Sequence, residues 1–109
     1  MENKTLLLKR LGDTPTLRII DFFIDNLLFD YSREEILKNV SISRKTLFKI
    51  WRDLEDSEII VMTRKVGKAK MYRLNRENEV VKKLIDLDLA LGKQAMMKAV
   101  ETRSIEVSS

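Results

Sequence analysis

Cysteine and histidine are both missing from this 109-residue chain. Their absence rules out disulfides, thiolate nucleophiles, imidazole general bases and the usual zinc ligands together. Most designs for catalysis and metal sensing are thereby closed, and the expectation is a protein with no catalytic residues, no metal and no cofactor. The remaining carboxylates sit at helix starts and on polar faces, not gathered in the glycine-rich or strand-end settings where acid–base chemistry is built. Long apolar runs are lacking too. None approaches the roughly 20 residues that span a bilayer, so no membrane segment is expected. The opening stretch from Met1 to Arg10 has a short apolar run and no small-residue cleavage site after it, unlike a signal peptide. These absences predict an intracellular, cytoplasmic protein. With one proline and three glycines, the chain shows no low-complexity linker and no internal repeat. Its length suits one compact unit with appendages.

What is present in abundance is charge, and its distribution says more than its total. The formal net charge is +4. Between Arg44 and Arg76 stand ten basic residues against four acidic ones, so that segment carries +6 and the remainder −2. A local positive field of this kind raises the encounter rate with polyanions. Two stretches concentrate it. Ser43-Arg44-Lys45-Thr46-Leu47-Phe48-Lys49 reads as the start of an amphipathic helix. Soon afterwards, Met62 to Leu74 reads as a hairpin holding five basic residues and no acidic one, with Gly67 at its tip.

Apolar spacing and capping residues divide the chain. Leu6, Leu7, Leu8 and Leu11 form a short helix or extended segment ending at Gly12-Asp13. Thr14-Pro15 is an N-cap with proline at the first helical position, and the apolar set from Leu17 to Leu28 recurs at three and four residues, predicting a helix over Pro15–Leu28. Phe29-Asp30-Tyr31 is a link with the character of a single-bridge strand. Ser32 and Glu35 form a capping box opening a helix over Arg33–Asn39. Ser43 caps the next helix, Arg44–Asp56, whose inner face is Leu47, Ile50, Trp51 and Leu54. Ile59 to Met62 and Met71 to Leu74 pair as the hairpin, with Tyr72 pointing inward, away from Met71 and Arg73. A last long helix begins near Glu77, capped by Asn75 or Asn78, and runs past Leu91, with Gly92 and the polar end predicting weakness beyond Val100.

Two helices meeting across a short turn and followed by a β-hairpin make a winged helix-turn-helix. The expected fold class is therefore mainly α with a small β wing (α+β). Its parts would be an N-terminal segment (1–13), a winged helix-turn-helix unit (14–75), a C-terminal helix for dimerisation (76–103) and a flexible tail (104–109).

The run Leu-Gly-Asp-Thr-Pro-Thr-Leu-Arg-Ile-Ile-Asp-Phe-Phe, then Phe-Asp-Tyr-Ser, Ile-Ser-Arg-Lys-Thr-Leu and Lys-Ala-Lys-Met-Tyr-Arg-Leu-Asn, resembles the archaeal winged helix-turn-helix transcriptional regulators, similar broadly to the ArsR and MarR type domains. The likeness spans Leu11 to Leu91. It departs from that pattern in two places. Glu58 stands where such domains usually have glycine after the recognition helix, so either a non-glycine residue takes a left-handed conformation or the helix ends differently. The Cys or His ligands of the metal-sensing members are absent.

The resemblance implies that the helix from Arg44 enters the major groove of double-stranded DNA, making Ser43, Arg44, Lys45, Thr46, Phe48, Lys49 and Arg52 the candidates for contact. Arg44 and Lys45 are favoured for base edges, and Lys49 and Arg52 serve phosphates as readily. Phe48 either stacks on a thymine methyl or packs on the preceding helix. On the wing, Arg64, Lys65, Lys68 and Lys70 are expected to neutralise phosphates or reach the minor groove. The plainer readings are a simple cap at Ser43, a solvated charged face, and edge lysines that resist aggregation. Along the last helix, Val80, Leu84, Leu87 and Leu91 form a stripe that either covers the domain's own core or pairs with a second copy, and the dimer is favoured. The expected function is a sequence-specific DNA-binding transcriptional regulator, a homodimer associated with the nucleoid, with the transcription machinery as a further candidate partner. The competing readings are a nonspecific architectural or DNA-segregation protein and a winged-helix module for protein interaction.

Overall fold

A computed structural model describes residues 4–108, with side chains to residue 103. Five helices and two strands follow in the order α1 (Leu6–Leu11), α2 (Pro15–Asp25), α3 (Arg33–Asn39), α4 (Arg44–Asp56), β1 (Ile60–Val66), β2 (Ala69–Leu74) and α5 (Glu79–Ser108). The architecture is mainly helical α+β, with one antiparallel hairpin and a long C-terminal helix.

Local chemistry accounts for most boundaries. The hydroxyls of Thr5, Thr14, Ser32 and Ser43 each accept from a backbone N–H in the first turn of the helix that follows. At Ser32 the capping box is complete, because the Glu35 carboxylate accepts from the Ser32 N–H at 3.0 Å. Helix α2 ends three residues short of the expected Leu28, and Asn26 is the reason. Its side-chain Nδ2 donates to the Phe22 carbonyl at 2.7 Å, occupying the acceptor that its own backbone N–H would have used. That N–H turns to Phe23 instead. Such competition between an asparagine side chain and the backbone stops a helix. The released Leu28 and Phe29 lie exposed.

Helix α5 starts at Glu79 instead of Glu77, where the Asn78 Oδ1 accepts from the Val80 N–H at 2.8 Å and the Val81 N–H at 3.3 Å. Nδ2 of Asn75 and of Asn78 both donate to the Glu58 carbonyl, clipping the start of α5 to the end of α4. The helix runs without a break through Gly92 to Ser108, past the point where weakening was expected. Met1, Glu2, Asn3 and Ser109, which belong to the expected N-terminal segment and tail, lie outside the described residues.

The core gathers one face from each element. Leu7, Ile19, Ile36, Leu47 and Val81 have no exposed surface at all. Trp51 lies at the centre, edge-on to Tyr72 at 4.9 Å and near Phe23 at 6.3 Å between ring centroids. Burying aromatic rings in edge-to-face contact adds about 0.5–1.5 kcal/mol per pair beyond area burial. Tyr72 is buried as expected, with Met71 buried on the opposite face of the strand. A bulge at Thr63 shifts the register, so that Met62 faces Tyr72 while Arg64 faces Met71. The Phe29–Tyr31 link does form a single bridge: Tyr31 and Tyr72 exchange two backbone hydrogen bonds of 2.8 Å.

Candidate nucleic-acid interface

Helix α4 puts Leu47, Trp51 and Leu54 into the core, which forces Arg44, Lys45, Phe48, Lys49 and Arg52 outward on the opposite face. Its first turn is closed on itself. The Ser43 hydroxyl accepts from the Thr46 N–H and donates to the Thr46 hydroxyl at 2.8 Å, so both side chains serve the cap.

Arg44 is not a free cation. Its guanidinium makes two hydrogen bonds to the Glu34 carboxylate, from Nη1 to Oε1 and from Nη2 to Oε2, the second at 3.0 Å. The Arg44 guanidinium holds the Glu34 carboxyl below its usual pKa, and Glu34 in turn raises that of Arg44. Both groups are more than half exposed, so the pair orients Arg44 more than it stabilises the fold. Phe48 meets α3 through Arg33, whose guanidinium carbon lies 5.2 Å from the ring centroid. That contact joins Phe48 to α3, while 44% of the residue stays exposed. By contrast, Lys45, Lys49 and Arg52 form no ion pair among the described residues.

The hairpin turns through Gly67 at φ 62°, a left-handed conformation that glycine adopts without penalty. Lys65 stands directly opposite Lys70 across the two strands. Like charges facing each other this way destabilise a sheet, and no described acidic group comes within ion-pair distance of Lys65, Lys68 or Lys70 to offset it. Arg64 goes elsewhere. Nε and Nη2 bond the Asp30 carboxylate at 2.9 and 3.1 Å, and the Thr63 hydroxyl donates to the same group at 2.6 Å. These bonds, led by that to Arg64, lower the Asp30 pKa to about 2.

The hairpin and the helices face each other across a cleft of about 230 Å³ lined by Ser32, Arg33, Glu34, Phe48, Lys68, Ala69 and Lys70. The structure thus brings Phe48, Lys68 and Lys70 of the expected set together, adds Arg33 and Glu34, and leaves Arg64 with Asp30 on another side of the hairpin. Sequence reasoning saw Arg33 and Glu34 only as the interior of a capping box. Their position two and three residues after Tyr31, which bridges to the hairpin, was the available signal.

Two further regions complete the picture. A cleft of about 320 Å³ between α1, α2 and the α3–α4 turn is lined by Lys4, Asp13, Arg18, Asp21 and Asp25 among others. There the hydrogen bond from Arg18 lowers the Asp13 pKa to about 2, while burial raises those of Asp21 and Asp25. On α5, the expected dimer stripe is split: Leu84 and Leu91 pack partly against the chain's own core, whereas Val80 and Leu87 are 57% and 37% exposed. No grouping of acidic side chains among the described residues suits a metal ion, and no helix among them is long and apolar enough to cross a membrane. No known protein family, curated protein or solved structure matches this chain.

Proposed function

We propose that this chain is a sequence-specific, double-stranded DNA-binding transcriptional regulator of the winged helix-turn-helix type, acting as a homodimer. In this reading α4 is the recognition helix and the β1–β2 hairpin is the wing. The observation that carries it is the cleft between the hairpin, the start of α3 and Phe48 of α4, walled by Arg33, Lys68 and Lys70 with Glu34 among them, and continued by uncompensated cations on both sides. The Lys65–Lys70 pair costs stability in the free protein and is relieved by an anion between or above the two ammonium groups. A line of phosphates supplies that anion repeatedly, which a small ligand does not.

Within that arrangement Arg44, Lys45 and Lys49 lie towards the groove. The two-toothed grip of Glu34 on Arg44 presets the guanidinium plane, and a guanine edge offers the same bidentate geometry. Lys65, Lys68 and Lys70 hold the backbone without reading sequence.

Selection of bound duplexes from a random pool, followed by titration of two variants, tests this proposal. Arg44→Ala should lose about 1–3 kcal/mol at particular base positions, and Lys68→Ala should weaken all sequences alike while lowering the salt slope by about one unit. A pool that yields no consensus, together with equal binding of specific and random duplexes, would favour an architectural DNA-binding protein. Parent-like binding by both variants would mean that the surface is wrongly assigned.

A further inference from the structure

Of the twelve large apolar side chains exposed among the described residues, six lie on α5: Val80, Leu87, Leu89, Met96, Met97 and Val100. From Gly92 to Arg103 every side chain of this helix is exposed. A helix gains its stability in proteins mainly from burying a face, and a solvated stretch with glycine inside it is marginal by itself. The second half of α5 therefore calls for a partner.

The outward face has a regular seam. Starting at Val80, steps of three and four residues reach Leu87, Ala90 and Met97, all exposed; this is the a/d spacing of a coiled coil. The same steps place Lys83 near one end of the seam, Gln94 in the middle and Glu101 near the other end. Leu84 and Leu91 flank it, each half-buried against the chain's own core. At its N-terminal end, Val80, Lys83, Leu84 and Leu87 line a mainly apolar hollow of about 360 Å³.

We propose that α5 pairs with α5 of a second copy along this seam, and that the two helices run antiparallel. The pairing rests on the homodimer of the proposed function and adds its direction and register. Charge decides the direction. A parallel pair in register sets Lys83 against Lys83 and Glu101 against Glu101, and it brings Lys93 beside Lys98 of the other helix. An antiparallel pair centred between Ala90 and Gln94 sets Lys83 against Glu101 at both ends and Leu87 against Met97, with Asp86 beside Lys93. The like-charge contacts at Lys83 and Glu101 become opposite-charge contacts and the Lys93–Lys98 contact disappears, against one new like-charge contact between the two Lys93 side chains beside the two-fold axis. Seam charges choose orientation in this way because the wrong pairing buries repulsion.

The cysteine-free sequence makes the test clean. Leu87→Cys and Met97→Cys are prepared separately in the full chain, then oxidised alone and as a mixture after subunit exchange, with masses measured by light scattering before oxidation. The expected result is a dimer mass for each, little covalent dimer from either alone, and efficient cross-linking on mixing. Cross-linking of Leu87→Cys with itself would overturn the antiparallel direction. A dimer mass with no cross-link in any sample would overturn the seam, and a monomer mass would overturn the homodimer as well. None of these outcomes touches DNA recognition, which the duplex selection reads separately. A charge exchange gives a second readout: Lys83→Glu should raise the dimer dissociation constant roughly tenfold at low salt, and adding Glu101→Lys should restore it. Failure of the double variant to recover would overturn the register.

Discussion

Replacing Glu58 with glycine should stabilise the protein, because Glu58 holds a backbone conformation that a side chain resists. It is the only non-glycine residue with positive φ among the described residues, at 59°. It follows the C-cap Ser57, where the Glu58 N–H bonds the Glu55 carbonyl and the Ile59 N–H bonds the Leu54 carbonyl, both at 3.0 Å. That is the hydrogen-bond pattern of a Schellman ending, which glycine usually closes. A side chain in the left-handed region costs about 1–2 kcal/mol, and glycine gives back about 0.4–1 kcal/mol of this through its freer unfolded chain. The difference predicts a gain of about 0.5–1 kcal/mol for Glu58→Gly, which for a domain of this size corresponds to roughly 2–5 °C in melting temperature. Glu58 makes no ion pair among the described residues, so no electrostatic loss competes. Urea unfolding at pH 7 should show a higher midpoint with an unchanged slope. Glu58→Ala keeps the same φ requirement and should leave the midpoint almost where it was. If Glu58→Gly proved no more stable than Glu58→Ala, the left-handed turn would not be the source of strain.

Removing the charge of Asp21, which is only 5% exposed, should raise thermal stability at pH 7. Burial raises its folded pKa, so its ionised form opposes folding above that value, and the advantage of Asp21→Asn should fade as the parent protonates on acidification; an advantage that did not depend on pH would contradict this. Asp13 and Asp30 act with the opposite sign. Their folded pKa values of about 2 lie below the ordinary 3.8, so the stability they contribute is present above pH 4 and is lost as pH falls towards 2. Asp30→Asn should therefore flatten the acid limb of a melting-temperature profile in that window, and an unchanged limb would show that the Arg64 bond contributes nothing. If the proposed function holds, Glu34→Gln should raise affinity for random duplex several-fold at low salt by removing a negative charge beside the basic surface. It should also narrow the margin between specific and random duplex, because Arg44 loses its preset plane; fluorescence anisotropy with both duplexes measures the two effects together.

How much of this was legible in the sequence depended on whether the deciding interaction was local. Helices α3 and α4 match the expected bounds because Ser32–Glu35 and Ser43–Thr46 place donor and acceptor three residues apart. The far end of α2 did not, since the tendency of Asn26 to take the Phe22 carbonyl competes with an apolar spacing that continues unbroken to Leu28. At Glu58 the sequence could pose two alternatives but not choose, because the left-handed turn is held by Asn75 and Asn78, far along the chain. The basic candidates were read from charge, helix face and the resemblance, and none of these reveals partners. Arg44 and Arg64 look like their neighbours in sequence, yet Glu34 and Asp30 hold them from ten and thirty-four residues away. The stripe on α5 divided for a similar reason: the helical period fixes which residues share a face, but the packing of distant elements such as α1 decides which edge of that face is covered.

The tie between Tyr31 and Tyr72 also sets the mechanics of the hairpin. Two backbone hydrogen bonds there, the Thr63 and Arg64 bonds to Asp30 and the buried Tyr72 ring clamp the lower part of both strands to the helices. Beyond the Arg64–Met71 pair both strands lie in solvent on both faces, leaving a cantilever of about three residues per strand, or roughly 10 Å. Bending therefore concentrates just past the bulge, and the cationic tip can follow a groove of varying width while the clamp keeps α4 in place. Under the proposed function, compliance at the tip and stiffness at the root would let the hairpin adapt to a deformable duplex while α4 keeps its position.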